Sequence, residues 1–283
     1  MDANHPNAST QAALWNGSSG RAWMAEQQVL DQMFKPLEDL LVDGIRAGSA
    51  TRVLDVGCGT GSTTLAASRR LGAKAHCIGA DISAPMIEVA RTRAEQERST
   101  AGFICADAQT YAFEPASFDW IMSRLGVMFF DDSVAAFANL RRAASDRAEL
   151  RCIAWRSAAD NPFMSTAERA AAPLLPSLPV RQPGAPGQFA FADRNKVSSI
   201  LAASGWTGID IQPLDVECAF PENELIGYFT RLGPVGLSLQ TADEPTRARV
   251  IETVRAAFDP YVHGTEVRYT AACWMINGRA PSA

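Results

Sequence analysis

A basic excess, paired cysteines, clustered histidines and long apolar runs are all missing from this sequence, and each absence removes a class of function. Lysine and arginine total 26 against 31 acidic residues, a net charge of −5, so no basic field exists to hold a phosphate backbone and nucleic acid is not expected as the main partner. The six cysteines (Cys58, Cys77, Cys105, Cys152, Cys218, Cys273) show no paired spacing. Several sit in strand-like apolar runs, where a thiol behaves as a small hydrophobe, which points to reduced cysteines and a cytoplasmic protein. With three histidines and neither Cys-x-x-Cys nor His-x-x-x-His spacing, local sequence provides no metal site. No apolar stretch approaches the roughly 20 residues needed to span a bilayer; the best run, 125–130, is bounded by Arg124 and Asp131-Asp132. Residues 1–11 are polar, include Pro6, lack the pattern of a signal peptide and read as a loose tail. Nucleophile-elbow and Walker loops are absent, as are internal repeats and low-complexity tracts.

What is present is an ordinary globular composition, 47% hydrophobic and 20% charged over 283 residues, enough for one elaborated domain or two small ones. Trp23, Leu30, Met33, Phe34, Leu37, Leu40, Leu41 and Ile45 recur at helical spacing, interrupted by Pro36, which predicts two or three helices before the first strand. From residue 52 short β-rich runs alternate with helical ones: strands over 52–56, 75–80, 102–105, 117–123 and 148–155, helices over 62–71, 85–97 and 133–144. Such alternation means a parallel sheet with helices on both faces. Prolines and glycines break the rhythm over 161–188, predicting an irregular insertion. A helix over 193–204, a strand over 208–219, helices over 222–239 and 244–258 and a last strand over 266–276 complete the pattern. The division expected is a tail and helical cap (1–50), a cofactor-binding half (51–160) and a second half (161–283) whose insertions at 161–190 and 222–263 cover the substrate.

The strongest signal is Val53-Leu54-Asp55-Val56-Gly57-Cys58-Gly59-Thr60-Gly61, an apolar strand running into alternating glycines and then a helix. Glycines at that spacing let backbone approach a ligand and leave helix N–H groups facing a polar or anionic group. A second apolar segment ends in Asp81, roughly 20 residues on, where a carboxylate can accept from ribose hydroxyls. In an open parallel sheet the loops at Gly57–Gly61, Asp81–Ile82, Asp107–Ala108 and Ser123–Gly126 should meet beyond the strand ends.

Asp55 to Gly61, Asp81, Ala106-Asp107-Ala108 and Phe118-Asp119-Trp120-Ile121 resemble, in order, the successive motifs of class I S-adenosylmethionine-dependent methyltransferases. Ser123-Arg124-Leu125-Gly126-Val127-Met128-Phe129-Phe130, with Trp15 and Trp23, is loosely similar to the ubiquinone/menaquinone C-methyltransferase group of small-molecule enzymes. The resemblance implies a Rossmann-like α/β sheet with an antiparallel C-terminal strand, S-adenosyl-L-methionine as cofactor and S-adenosyl-L-homocysteine as product. It implies cofactor contacts at Trp23, Asp55, Gly57, Cys58, Gly59, Gly61, Thr63, Asp81, Ile82, Met86, Asp107, Ala108 and Ser123. Within that set Gly57 and Gly59 would hold the methionine end, Asp81 the ribose, Ile82 an adenine face and Asp107 the exocyclic amine, with Asp55 orienting the loop from behind.

Arg124, directly after the fourth expected strand, could pair with an anionic acceptor or belong to a structural ion pair. His263, with Tyr228, Tyr261 and Arg231 in the second insertion, is the candidate base or substrate contact, against the plainer reading of a solvated side chain. Transfer from a sulfonium is an in-line displacement in which the cofactor carries its own leaving group, so alignment and water exclusion are what a protein must add. The expectation is a small-molecule methyltransferase without nucleic-acid or membrane partners, with a homodimer left open. Two alternatives stand: a nicotinamide-dependent oxidoreductase, disfavoured because Gly61 is followed by Ser62 instead of completing G-x-G-x-x-G, and a noncatalytic cofactor-binding subunit.

Overall fold

A computed structural model describes residues 8–45, 52–179, 181–182 and 184–282. Four helices come first: α1 (Ala8–Asn16), α2 (Ser18–Ala25), α3 (Gln27–Met33) and α4 (Lys35–Asp43). Then follow β1 (Arg52–Val56), α5 (Ser62–Leu71), β2 (His76–Asp81), α6 (Ala84–Glu97), β3 (Gly102–Cys105), β4 (Phe118–Arg124), α7 (Ser133–Ala143) and β5 (Ala144–Trp155). The last part holds α8 (Pro162–Ala171), α9 (Arg194–Ala203), β6 (Thr207–Pro221), α10 (Leu225–Arg231), α11 (Gly233–Leu239), α12 (Glu244–Ala257), β7 (Val262–His263) and β8 (Glu266–Arg279).

The strands form one sheet in the order β3-β2-β1-β4-β5-β8-β6, with β7 paired to β8. β1 pairs in parallel with β2 (Asp55 opposite Gly79) and with β4 (Asp55 opposite Met122). β8 runs antiparallel between β5 and β6. This is the expected Rossmann-like arrangement, and because the chain leaves β1 toward β2 and β3 but returns to β4 on its other side, a crevice opens beyond the β1 and β4 carboxyl ends. Central strands are buried on both faces: Val53, Leu54, Ile121, Met122, Ile153 and Ala154 expose nothing.

Local chemistry sets the helix starts. Ser83 accepts from the Met86 N–H with Pro85 in the first turn of α6, and Asp132 accepts from the Ala135 N–H at 2.9 Å to begin α7. Pro36 sits in the first turn of α4, so it separates α3 from α4 as the sequence suggested.

Four expectations need correction. Of the loose tail over 1–11, residues 1–7 lie outside the described residues, but Ala8 already opens α1. Four helices precede β1 where two or three were expected. The irregular insertion over 161–188 begins with α8, because Pro162 occupies the first turn, where a missing N–H costs nothing. β8 continues to Arg279 and stays paired with β5 to the end. The expected boundary at 50/51 falls outside the described residues, and that at 160/161 divides strands of a single sheet.

Candidate active site

The turn after β1 is built from left-handed glycines: Gly57, Gly59 and Gly61 have φ of 69°, 54° and 88°. The Gly57 N–H donates to the Ala80 carbonyl at 2.8 Å, tying the turn to the end of β2. A Cβ on Gly57 would lie 2.8 Å from the Gly126 Cα, and one on Gly126 would lie 2.7 Å from the Val56 carbonyl oxygen. The loops after β1 and β4 therefore touch backbone to backbone, and neither position admits a side chain. Ser123 fastens the same junction, donating to the Val56 carbonyl at 2.7 Å and accepting from the Gly126 N–H at 3.2 Å.

Asp81 ends β2 with its carboxylate turned back onto this turn. One oxygen accepts from the Gly59 N–H at 2.8 Å and the other from the Ser83 N–H at 2.9 Å. Burial raises its pKa, and the backbone donors at Ser83, Gly59 and Ile82 pull it back down. A carboxylate has about four acceptor positions, so with two engaged Asp81 can still receive hydroxyls. Asp107, after β3, accepts from the Gln109 N–H at 2.9 Å. Asp131 is raised by burial and by the nearby Asp107 charge.

These loops open on a cavity of about 480 Å³. Of the sequence candidates, Trp23, Gly57, Gly59, Asp81, Ile82, Met86, Asp107, Ala108 and Arg124 line it. Asp55, Cys58, Gly61, Thr63 and Ser123 do not, and their places in the structure are behind its wall. Asp55 is buried and accepts from the Thr64 hydroxyl at 2.7 Å, with burial pushing its pKa up to about 6. Cys58 is buried, and burial drives its thiol well above the usual range. Gly61 is required because a Cβ there would meet Ala90 and the Phe103 ring at 2.9 Å. Thr63 is buried within α5.

His263 is a plain correction. It lies exposed on the two-residue strand β7 opposite Glu266 and is not among the residues that line the cavity. Arg124 does reach the cavity but is already engaged. It donates to Ser62 Oγ at 2.9 Å, lies 3.9 Å from Glu38 and sits 5.9 Å above the Phe34 ring. Its Nη1 is buried with no hydrogen-bond partner.

In the remainder of the wall the sequence points to Trp15, Trp23, Phe129, Tyr228 and Arg231 but not to α8 or Arg181. Trp15 meets Trp23 at 5.8 Å and Phe129 at 5.1 Å, both edge to face, and Trp23 stacks on Phe34 at 6.5 Å. Across the cavity α8 brings Phe163, Met164 and Glu168, and the Phe163 ring stacks with Tyr228 at 5.8 Å. Arg181 grips Glu168 and also donates to Gln188 at 3.1 Å. Arg231, at the end of α10, pairs with Glu26, buried at the junction of α2 and α3. Their spacing carries no local signature; the one legible hint was the heavy punctuation of the insertion itself.

The family described as a methyltransferase domain matches residues 53–146. Aklanonic acid methyltransferase DauC of Streptomyces sp. (strain C5) is 36% identical over 108 residues, which is 38% of this chain and 49% of that protein. Residues 53–146, the stretch that holds the glycine turn, Asp81 and Asp107, match that methyltransferase domain. The chain spans about half the length of the curated relatives it matches. Among solved structures, the YcgJ protein of Bacillus subtilis aligns with a TM-score of 0.57 at 18% identity, covering 88% of this chain and all (100%) of that one. The Haemonchus contortus phosphoethanolamine N-methyltransferase 2 complex with S-adenosyl-L-methionine aligns at 0.50 with 16% identity, covering 99% of this chain and 58% of that one. At these identities the structures speak for the fold alone.

The cofactor of this superfamily is S-adenosylmethionine, and the methyltransferase domain offers donors and acceptors of the right kind for it. The cradle where Gly57 and Gly126 exclude any Cβ leaves room for close backbone approach, and Asp81 keeps acceptor positions free. Asp81, Asp107 and Asp131 have no ion-pair partner among the described residues, which suits a ligand carrying positive charge.

Proposed function

We propose that the chain is an enzyme that moves a methyl group from S-adenosylmethionine to a small-molecule acceptor by in-line displacement. The observation that carries this reading is the Asp81 carboxylate, held by the Gly59 and Ser83 N–H groups at the mouth of the glycine turn inside a cavity largely closed by aromatic rings. The bound donor supplies the electrophilic methyl group and its leaving group.

In this proposal the protein binds, orients and dries the site. Gly57 and Gly59 receive the methionine end, Asp81 the ribose, Ile82 and Met86 the adenine faces, and Asp107 the exocyclic amine. Arg124, whose Nη1 has no hydrogen-bond partner and lies 3.9 Å from Glu38, takes the donor's carboxylate instead of an acceptor's anion. Trp23 presents an aromatic face on which a sulfonium is favourable. The helical cap (1–50) and the insertions at 161–190 and 222–263 exclude water from a cofactor-binding half (51–160). Correct alignment of methyl and acceptor supplies about 7–11 kcal/mol of the barrier, so no nucleophile in the wall is required. The aklanonic acid enzyme, named for a small-molecule acceptor, supports the substrate class. No described helix is long and apolar enough to cross a membrane, and the thiols are free, in keeping with a cytoplasmic enzyme.

Calorimetric titration with S-adenosylhomocysteine tests the reading. The full chain should bind it, and Asp81→Ala should weaken binding at least about tenfold, the worth of charge-assisted bonds to two hydroxyls. Absence of binding to the unaltered chain, or equal affinity in the variant, refutes it.

A further inference from the structure

Three guanidinium groups line the cavity, and each is matched by a carboxylate from another element. Arg181 is held by Glu168 of α8, with its Nε donating at 2.9 Å. Arg231 of α10 is paired with Glu26 from the helical cap. Arg124 lies 3.9 Å from Glu38 of α4, and its charge is also felt by Asp55. At the donor end Asp81, Asp107 and Asp131 stand without ion-pair partners among the described residues. That negative end suits a cationic donor and repels an anionic acceptor.

Beyond the donor end the wall is apolar. Phe163 and Tyr228 stack with their planes 30° apart, Phe258 stands edge-on to Phe163 at 5.2 Å, and Phe229 stacks on Phe258 at 5.9 Å. Tyr228 is the partly exposed ring of this cluster, and Phe163, Phe229 and Phe258 are buried behind it. One uncharged polar group interrupts them, the Tyr228 hydroxyl, whose partner is the Met164 sulfur at 3.7 Å. Sulfur is a weak acceptor, so an oxygen on a ligand would replace it with gain. Burial pushes the Tyr228 pKa up, and the phenol remains a donor at neutral pH.

We propose that the acceptor is an uncharged, planar aromatic molecule, lying against the partly exposed Tyr228 ring with an oxygen accepting from the Tyr228 hydroxyl. This rests on the donor reading above, because the donor fills the acidic end. Glu168 then acts as a specificity residue: by neutralising Arg181 it denies an anion a cation on the aromatic side of the cavity.

Binding of three matched probes decides the matter: methyl 2-naphthoate, 2-naphthoate and 2-naphthylmethylammonium, each titrated into the full chain at neutral pH with and without S-adenosylhomocysteine. The neutral ester should bind at least about tenfold more tightly than either ion, since burying an unpaired charge is costly. Equal or tighter binding of an ion overturns the proposal, as does failure of all three to bind. Glu168→Gln should leave the ester within about twofold and strengthen 2-naphthoate by about fivefold or more, through release of Arg181. An unchanged preference for the ester in that variant removes Glu168 from its role. Tyr228→Phe should weaken the ester about threefold to tenfold while leaving naphthalene unaffected, and equal loss for both would deny the hydroxyl bond. S-adenosylhomocysteine that fails to bind overturns the donor reading, whereas a chain that binds it but prefers 2-naphthoate overturns this inference alone.

Discussion

At the scale of single residues, the groups that make the site are separable from those that hold it in place. Asp55 and Asp81 both belong to the glycine turn, yet only Asp81 meets the cavity. Asp55 is buried beneath, where its Thr64 bond and the Arg124 charge offset burial only in part, so its pKa stands at about 6 instead of 3.8. A carboxyl whose folded pKa is raised favours folding most when protonated. Its contribution is complete below 3.8 and is lost as pH rises through about 6. Asp55→Asn keeps an acceptor for Thr64 and abolishes the titration. Urea unfolding should show the natural chain losing on the order of 3 kcal/mol relative to the variant between those two limits. A pH-independent difference would mean that Asp55 does not titrate in this window.

Among elements, β1, α5 and β3 occupy the spans their sequence suggests, because glycines, caps and apolar runs mark their ends without ambiguity. Seven of the nine candidate residues at the cavity, Gly57, Gly59, Asp81, Ile82, Asp107, Ala108 and Arg124, reach it because the ends of β1 to β4 converge at the switch point of such a sheet, while Met86 comes from α6 and Trp23 from α2. α8 was illegible for a local reason: Pro162 reads as a breaker in isolation and as a helix opener once the chain after it is helical. The pairing of Glu168 with Arg181, and of Glu26 with Arg231 across 205 residues, follows from how the cap and insertions pack and has no counterpart in spacing. His263 is no part of the lining: the turn at Gly264 folds it into a hairpin, where it is exposed and paired with Glu266.

The Glu26–Arg231 pair joins the cap to α10 and sets an expectation at this scale. Glu26 is 2% exposed but the Arg231 side chain is 59% exposed, so the loss is discounted for solvent: Arg231→Met should cost about 1–2 kcal/mol in urea unfolding. Amide exchange should quicken over α10 and the α2–α3 junction before it changes in the sheet. Unchanged exchange there would show that aromatic packing, and not the ion pair, fastens the insertion to the cap.

For the molecule as a whole, cap, sheet and insertions contribute walls to one cavity, so a ligand that fills its acidic end is linked to the stability of all three. A ligand bound only by the folded chain adds about 2.7 kcal/mol of stability at a concentration 100 times its dissociation constant. For a chain of this size each kilocalorie moves the melting temperature by about 2–4 °C, so S-adenosylhomocysteine should raise Tm by about 5–10 °C. Asp81→Ala at the same ligand concentration should lose about half of that rise or more, because its dissociation constant has increased at least about tenfold, while its unliganded Tm falls only through the lost Gly59 and Ser83 bonds. Scanning calorimetry on the two proteins, each with and without ligand, separates these effects. A shift that survives intact in the variant would place the ligand somewhere other than beside the glycine turn, since among the described residues no other carboxylate in the cavity accepts a hydrogen bond from that turn's backbone.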